Sequence, residues 1–187
     1  MRAFESLKVL YHGRLVGRLT MGVNDTCLFQ YEREWLDTGF SISPLKLPLK
    51  PDLFEADYLP FQGNFGVFED CLPGGYGEYM LQKNLKKQGI NYYGLNTLQK
   101  LSIVGSSGMG ALCYVPDNKI TTSQDIVDLD AVQQAATDIL SGKTDKNAGM
   151  LYAHSGNSGG VRPKILLWED GRGWIVKFRH LNDPIES

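Results

Sequence analysis

An excess of charge of either sign is what this sequence most clearly lacks. Its 187 residues carry 19 Lys and Arg against 21 Asp and Glu, which gives a formal net charge of -2. A surface that follows the phosphates of a nucleic acid needs a basic excess, because it must replace the counterions that it releases. The charge balance therefore argues against direct nucleic-acid binding.

Long apolar runs and paired cysteines are also missing. No stretch approaches the roughly 18 apolar residues of a membrane span, and the first residues lack the apolar segment of a secretion signal. We therefore expect a cytoplasmic protein without membrane contact. The three cysteines are odd in number, far apart and without a nearby histidine at metal-ligand spacing. We expect reduced, buried thiols and no metal site at Cys27, Cys71 and Cys113.

The first third of the chain is rich in strand and turn signals. Residues 7–11 and 14–19 flank a His-Gly pair, which predicts a β-hairpin because glycine supplies the positive φ of a tight turn. A third strand is predicted at 27–31. Four prolines between residues 44 and 60 argue against a helix there, since proline lacks an amide proton and restricts its predecessor. We expect an extended loop with a short edge strand.

Two helices and a returning strand are predicted next. Residues 76–88 place three apolar side chains on one helical face, and Gly89 suits the position after the helix end. A shorter helix is predicted near 95–101 and a strand at 111–115. The Gly-Ser stretch 105–110 leads into a strand rather than a helix, so we interpret it as a structural turn.

A polar segment at 121–125 marks the predicted domain boundary. Beyond it, apolar residues at helical spacing predict a linker helix with Asp128 as N-cap and Gly142 as C-terminal stop. The sequence thus predicts an α+β protein. Residues 1–118 form an antiparallel sheet with packed helices, and residues 119–187 form the linker helix and the first strands of an incomplete second domain.

The most informative stretch is a glycine-rich loop followed by two predicted strands. Residues 155–164 read SGNSGGVRPK, and the strands are predicted at 165–168 and 174–178. Glycines allow backbone N–H groups to converge on an anion such as the phosphates of ATP. Because side chains alternate along a strand, Lys177 points away from the face of Val176 and Phe178 and can neutralise phosphate charge, as a strand lysine does in kinases.

Both features also have plainer interpretations. The loop matches neither the P-loop pattern nor the G-x-G-x-x-G pattern of kinases, and Gly-Ser runs are commonly simple turns. A strand lysine can equally lie along apolar surface with its ammonium group in water. The residues of the loop and strand alone leave both interpretations open.

Several stretches, in the same order along the chain, resemble the HipA family of toxin kinases. Residues 157–164 resemble the family's glycine loop, and residues 174–178 resemble its ATP-lysine strand. Four stretches farther upstream resemble the family's N-terminal subdomain: 29–36, 42–45, 68–75 and 105–112. The resemblance therefore covers nearly the whole chain, with a cap domain followed by the start of a kinase-like small lobe.

The resemblance implies a bacterial serine/threonine kinase toxin that is restrained by a HipB-like antitoxin and phosphorylates aminoacyl-tRNA synthetases. ATP with Mg²⁺ is the cofactor that it implies. By position, the phosphate contacts come from Asn157, Ser158, Gly159 and Gly160, and Lys177 supplies the cation. Asn157 departs from the family pattern, because it stands where family members carry a serine that they phosphorylate themselves.

The resemblance does not extend to the residues that transfer the phosphoryl group. A protein kinase also needs a catalytic Asp and metal-holding Asn and Asp residues, which lie beyond the lysine strand. We identify no catalytic residue and no metal ligand in this chain. We expect it to be inactive alone, as a truncated or split kinase whose remainder is encoded or expressed elsewhere. Strands 165–168 and 174–178 should then expose apolar surface and favour association.

Two other functions stay open from the sequence. A non-catalytic HipA-like binding module would regulate a separate kinase chain or hold the antitoxin, and it should be encoded beside a kinase that has its own glycine loop. A small-molecule phosphotransferase is the weaker alternative, since related folds serve both kinds of substrate.

Overall fold

A computed structural model of the protein describes residues 5–118, 128–144, 146–155, 157 and 159–179. The helices and strands, with one 3₁₀ turn at Tyr92–Gly94, are, in chain order, β1 (Ser6–Tyr11), β2 (Arg14–Met21), β3 (Cys27–Tyr31), α1 (Arg33–Thr38), β4 (Leu53–Glu55), α2 (Gly66–Glu69), α3 (Tyr76–Lys87), α4 (Thr97–Val104), β5 (Leu112–Val115), α5 (Leu129–Leu140), α6 (Ala148–Ser155), β6 (Lys164–Glu169) and β7 (Arg172–Lys177). The α+β class is confirmed. Within the described part of the chain, every helix is too short or too polar to cross a membrane.

The chain divides into two compact units. The first consists of Met1–Leu72 and Tyr93–Lys119, and the second of Pro73–Tyr92 and Ile120–Ser187. These units differ from the predicted domains, 1–118 and 119–187, in the segment that contains α3. The predicted domain limits stay a prediction, and the proposed boundary at 121–125 lies outside the described residues.

The first unit is built on a five-stranded antiparallel sheet in the order β4-β3-β2-β1-β5. The predicted hairpin and third strand are confirmed. His12 and Gly13, at φ 46° and 78°, form the two-residue turn between β1 and β2, and two positive φ values match the twist of the flanking strands. The short strand β4 lies at the sheet edge, as predicted from the proline-rich segment.

The core of the first unit lies where this sheet and helix α4 meet. Helix α4 contacts β1, β2 and β5, and Leu98 and Leu101 on it are buried. Its start is fixed by a capping box, in which Asn96 and Gln99 each accept a backbone N–H from the other. Cys27 and Cys71 are buried, as predicted, whereas the prediction of a buried thiol is wrong for Cys113 on β5, which is half-buried.

The second unit is a helical group with one hairpin. Helix α6 packs against α3, α5 and β6. The predicted helices at 76–88 and after Asp128 are confirmed as α3 and α5, and the Asp128 side chain accepts the N–H groups of Asp130 and Ala131. The sequence did not predict α6. Every residue of α6 is buried or half-buried, so the helix has no polar face to produce an amphipathic pattern.

Strands β6 and β7 pair as an antiparallel hairpin with a turn at Asp170 and Gly171, both of which have positive φ. The two predicted strands are therefore confirmed. The predicted exposure of apolar surface is confirmed on β7, where Trp174 and Ile175 are each 53% exposed. It is wrong for Ile165 of β6, which is fully buried.

Candidate functional site

The glycine-rich loop joins the end of α6 to the start of β6 in the second unit. Asn157 is half-buried, and Gly159 and Gly160 are exposed. Ser158, the remaining predicted loop residue, lies outside the described residues. Gly160 has φ 88°, a backbone conformation that residues other than glycine rarely adopt. The loop therefore uses glycine for its backbone shape.

Two successive carbonyl groups of this loop are held by the rest of the second unit. The Gly160 carbonyl accepts the backbone N–H of Tyr76, the first residue of α3, at 2.9 Å. The Gly159 carbonyl accepts a hydrogen bond from the Nζ of Lys164. C=O and N–H point in opposite directions across a trans peptide. The N–H groups of Gly160 and Val161 therefore point away from these two anchors.

Lys164 is the residue of this site that the sequence reasoning missed. It begins β6 and is only 6% exposed, which is unusual for lysine. Burial, and secondarily the charge of Lys177, lower the pKa of Lys164 below its ordinary value. Lys164 ends the stretch 157–164, but its residue type and position alone do not mark it as buried, because its burial depends on how the loop folds back.

Lys177 lies at the end of β7, directly opposite Lys164 in the strand pairing. Its side chain is exposed, while Val176 is half-buried and Phe178 is buried. Burial does not alternate farther back in the strand, where Trp174 and Ile175 are both exposed. Directly paired residues of adjacent strands share one face of a sheet. The hairpin thus brings two lysines together on one face, beside the glycine loop to which Lys164 is bonded.

This arrangement is suited to an anion. Two like charges that are paired across strands repel each other, and a bound anion relieves that repulsion. Backbone N–H groups that point out of a glycine-rich turn are donors that an anion can also use. Among the described residues, no three His, Cys, Asp or Glu side chains cluster in a way that could hold a metal ion. The charged groups that the site offers to a ligand are the ammonium groups of its lysines.

An open groove of about 270 Å³ lies beside the loop, within the second unit. Its lining is mainly apolar and is formed by the start of α3, the end of α5 and the loop: Gly75, Tyr76, Tyr79, Leu140 and Val161. Val161 is 75% exposed at this position. The glycine loop is thus hydrogen-bonded to the start of α3 through a carbonyl group and lies next to an apolar groove.

The second Gly-Ser stretch, at 105–110, has a different environment in the first unit. The N–H and hydroxyl of Ser106 both donate to the Asp117 carboxylate, at 3.2 and 2.8 Å. A carboxylate of the chain itself therefore occupies the donors that an anion would need. This geometry agrees with the prediction of a structural turn.

Comparison with known proteins identifies a family through the first part of the chain. The family model described as HipA N-terminal domain matches residues 7–115, which is more than half of the chain. No curated protein sequence matches this chain.

Among solved structures, the fold is similar to a chain of the complex described as the Shewanella oneidensis MR-1 toxin–antitoxin system HipA, HipB and its operator DNA. The TM-score is 0.51 at 19% sequence identity, a level at which the likeness shows the fold alone. The match covers 93% of this chain and 38% of the other, so this chain spans well under half of its structural relative. Because the family model covers more than half of its residues, the chain belongs to the HipA family.

Proposed function

We propose that this chain is the amino-terminal part of a HipA-type serine/threonine protein kinase of a bacterial toxin–antitoxin system, and that its second unit binds the phosphates of ATP. The observation that carries the proposal is the pairing of Lys164 with Lys177 beside the glycine loop, in which the carbonyl groups of Gly159 and Gly160 accept hydrogen bonds. Family membership supports the kinase assignment, and the structural likeness extends over 93% of the chain.

The residues present suit the phosphates rather than the metal of magnesium-ATP. The donors would be the loop amides around Gly159 and Gly160, with Asn157 and Ser158 as the neighbouring polar residues. Lys177 would pair with the phosphate oxygens, and Lys164 would lie behind the loop. ATP would supply the phosphoryl group. The described residues include no cluster of carboxylates for Mg²⁺, so the proposal assigns them no metal ligand.

The chain is proposed to bind nucleotide without transferring phosphate by itself. Carboxylates close to the hairpin, Glu169 and Asp170, are exposed at its turn and are assigned no catalytic role. The remaining kinase residues would be supplied by a further part of the protein. The full kinase would have aminoacyl-tRNA synthetases as its substrate class and would act in the cytoplasm.

A HipB-like antitoxin is the proposed partner. The structural relative was solved as a complex with HipB and operator DNA, which supports this choice. Direct DNA contact by this chain is not proposed, because its acidic and basic residues nearly balance.

The test is magnesium-ATP binding to the 187-residue chain, measured by isothermal titration calorimetry. Lys177→Gln should weaken binding about tenfold to a hundredfold, because a hydrogen bond to a charged group contributes about 1.5–3 kcal/mol. The matched control is Lys86→Gln, an exposed lysine of the same unit at the other end of α3. It removes the same charge and should leave affinity unchanged.

Two further comparisons decide between the possible outcomes. AMP, which lacks the β- and γ-phosphates, should bind much more weakly than ATP. Equal binding of ATP and AMP, or equal losses in the Lys177 and Lys86 variants, would show that the site does not recognise phosphates in this way. A chain that binds no ATP at millimolar concentration would instead favour the non-catalytic binding module.

A further inference from the structure

The start of helix α3 makes a backbone contact that its own helical structure does not require. The first amides of an α-helix have no acceptor within the helix. Tyr76 is the first residue of α3, and its N–H donates to the Gly160 carbonyl of the glycine loop at 2.9 Å. A donor that is left over by the helix therefore binds the loop. The partial positive charge of the helix start favours such a carbonyl.

Gly75, the N-cap residue of α3, brings the two backbones close together. It has φ 55° and ψ -115°, a conformation accessible only to glycine in practice. A Cβ atom built on Gly75 would lie 2.7 Å from the Gly160 carbonyl carbon and closer still to its oxygen. Both partners are backbone atoms, so no side chain can rotate away to make room. Any residue larger than glycine must push the loop off α3.

The neighbouring Gly74 provides a matched comparison. A Cβ atom at Gly74 would meet nothing within 4 Å, and this residue does not have a positive φ. Alanine at Gly74 therefore adds the same methyl group to the same segment without disturbing the loop. Comparing the alanine variants at residues 74 and 75 thus separates the loss of the contact with the loop from the general effect of replacing a glycine.

We propose that Gly75 and the Tyr76 amide are positioning residues for the phosphate-binding loop, an inference that rests on the proposed function. With the Gly160 carbonyl fixed on α3, the Val161 N–H on the same peptide bond faces outward, where a phosphate oxygen would accept it. Lys164 fixes the preceding carbonyl, of Gly159, in a similar way. The start of α3 thus sets the shape of the loop before any ligand arrives.

The first experiment is hydrogen–deuterium exchange on the full 187-residue chain without nucleotide. Gly75→Ala should speed exchange in the segment 157–163, while exchange in the interior of α6 stays as in the wild type. Gly74→Ala should leave both unchanged. Exchange in 157–163 that is the same in the two variants would overturn the proposal. A general loss of stability would speed exchange in α6 as well, which distinguishes it from a local release of the loop.

The second experiment is magnesium-ATP titration of the same two variants. Gly75→Ala should raise the Kd about tenfold, and Gly74→Ala should not change it. If Gly75→Ala speeds loop exchange without changing affinity, the contact is structural and the positioning role is wrong. If the wild-type chain binds no ATP, the proposed function fails, whereas the exchange data still decide whether the start of α3 holds the loop.

A third measurement covers the case in which Gly75→Ala does not fold. In the ¹⁵N-labelled wild-type chain, the Tyr76 amide should exchange slowly, because it has an acceptor outside its helix. The next amides along α3 lack an intrahelical acceptor as well and provide the internal reference. An amide of Tyr76 that exchanges as fast as an unprotected one would refute the contact and the proposal with it.

Discussion

Replacing Tyr76 with phenylalanine should stabilise the second unit, although it deletes a polar group from the folded protein. Tyr76 is 2% exposed, and its hydroxyl has no hydrogen-bond partner among the described residues. Burial alone raises the pKa of Tyr76, which agrees with a hydroxyl that lacks stabilising neighbours. A buried hydroxyl that loses its hydrogen bonds to water costs about 1–3 kcal/mol. Phenylalanine keeps the ring and removes that cost.

The expected gain is about 1 kcal/mol, the lower end of that range, because the ring and its packing are unchanged. For a chain of this size, it corresponds to a rise in Tm of roughly 2–4 °C, which differential scanning calorimetry resolves. The backbone N–H of residue 76, which binds Gly160, is the same in both proteins. Loop exchange and nucleotide affinity should therefore stay at wild-type values.

Tyr31→Phe makes the same chemical change where the opposite result is expected. The Tyr31 hydroxyl donates to the Leu47 carbonyl at 2.6 Å and accepts the Ile42 N–H at 3.1 Å. Its removal leaves the Ile42 N–H without that acceptor and should destabilise the first unit by about 1–3 kcal/mol. A lower Tm for Tyr76→Phe, or the same sign for both variants, would refute the reasoning from unpaired buried hydroxyls.

Two further predictions concern the second unit. Gly149→Ala should destabilise it by about 1 kcal/mol in urea unfolding, because the added Cβ would lie 2.8 Å from the Asn84 Oδ1. In an Asn84→Ala background the same change should cost nothing, and an equal cost in both would exclude that clash. The lowered pKa of Lys164 means that the unfolded chain binds more protons between that value and the ordinary 10.5, so the contribution of Lys164 to stability rises with pH in this range. The urea midpoint should therefore rise more from pH 8 to 10 in the wild type than in Lys164→Met, and equal rises would contradict this.

Much of the fold could be predicted because its signals are local. The hairpin β1–β2 depends on a two-residue turn with positive φ, and the His12-Gly13 pair is enough to show it. Helix α5 carries both an apolar period and an N-cap at Asp128. Such features act over a few residues, so a single sequence records them.

The elements that were missed depend on contacts between distant parts of the chain. Helix α6 has eight residues, and α3, α5 and β6 cover it so completely that no face is left polar. The assignment of α3 to the second unit also has no local signal, because it follows from packing against α6. The periodicity of apolar residues shows which face of an element is exposed to solvent. It is uninformative where tertiary packing covers every face.

The candidate site shows the same division between local and distant causes. Lys177 could be proposed because alternation along one strand sets the face of its side chain. Lys164 could not be singled out, since its burial and its bond to Gly159 depend on how the loop folds back. Its pairing with Lys177 depends on the register of the hairpin, which neither strand specifies alone.

Two of the stretches that carry the family resemblance are the two sides of one contact. The stretch 68–75 ends at Gly75, and the stretch 157–164 contains Gly160. A Cβ atom on Gly75 would lie 2.7 Å from the carbonyl carbon of Gly160, so a larger residue at Gly75 must move the loop. Each of the two stretches resembles the family separately, and they fall in different predicted domains. In the structure the two stretches are in direct contact, and the start of α3 sets the shape of a loop far along the chain. A substitution at Gly75 should therefore change the conformation of the loop at Gly160.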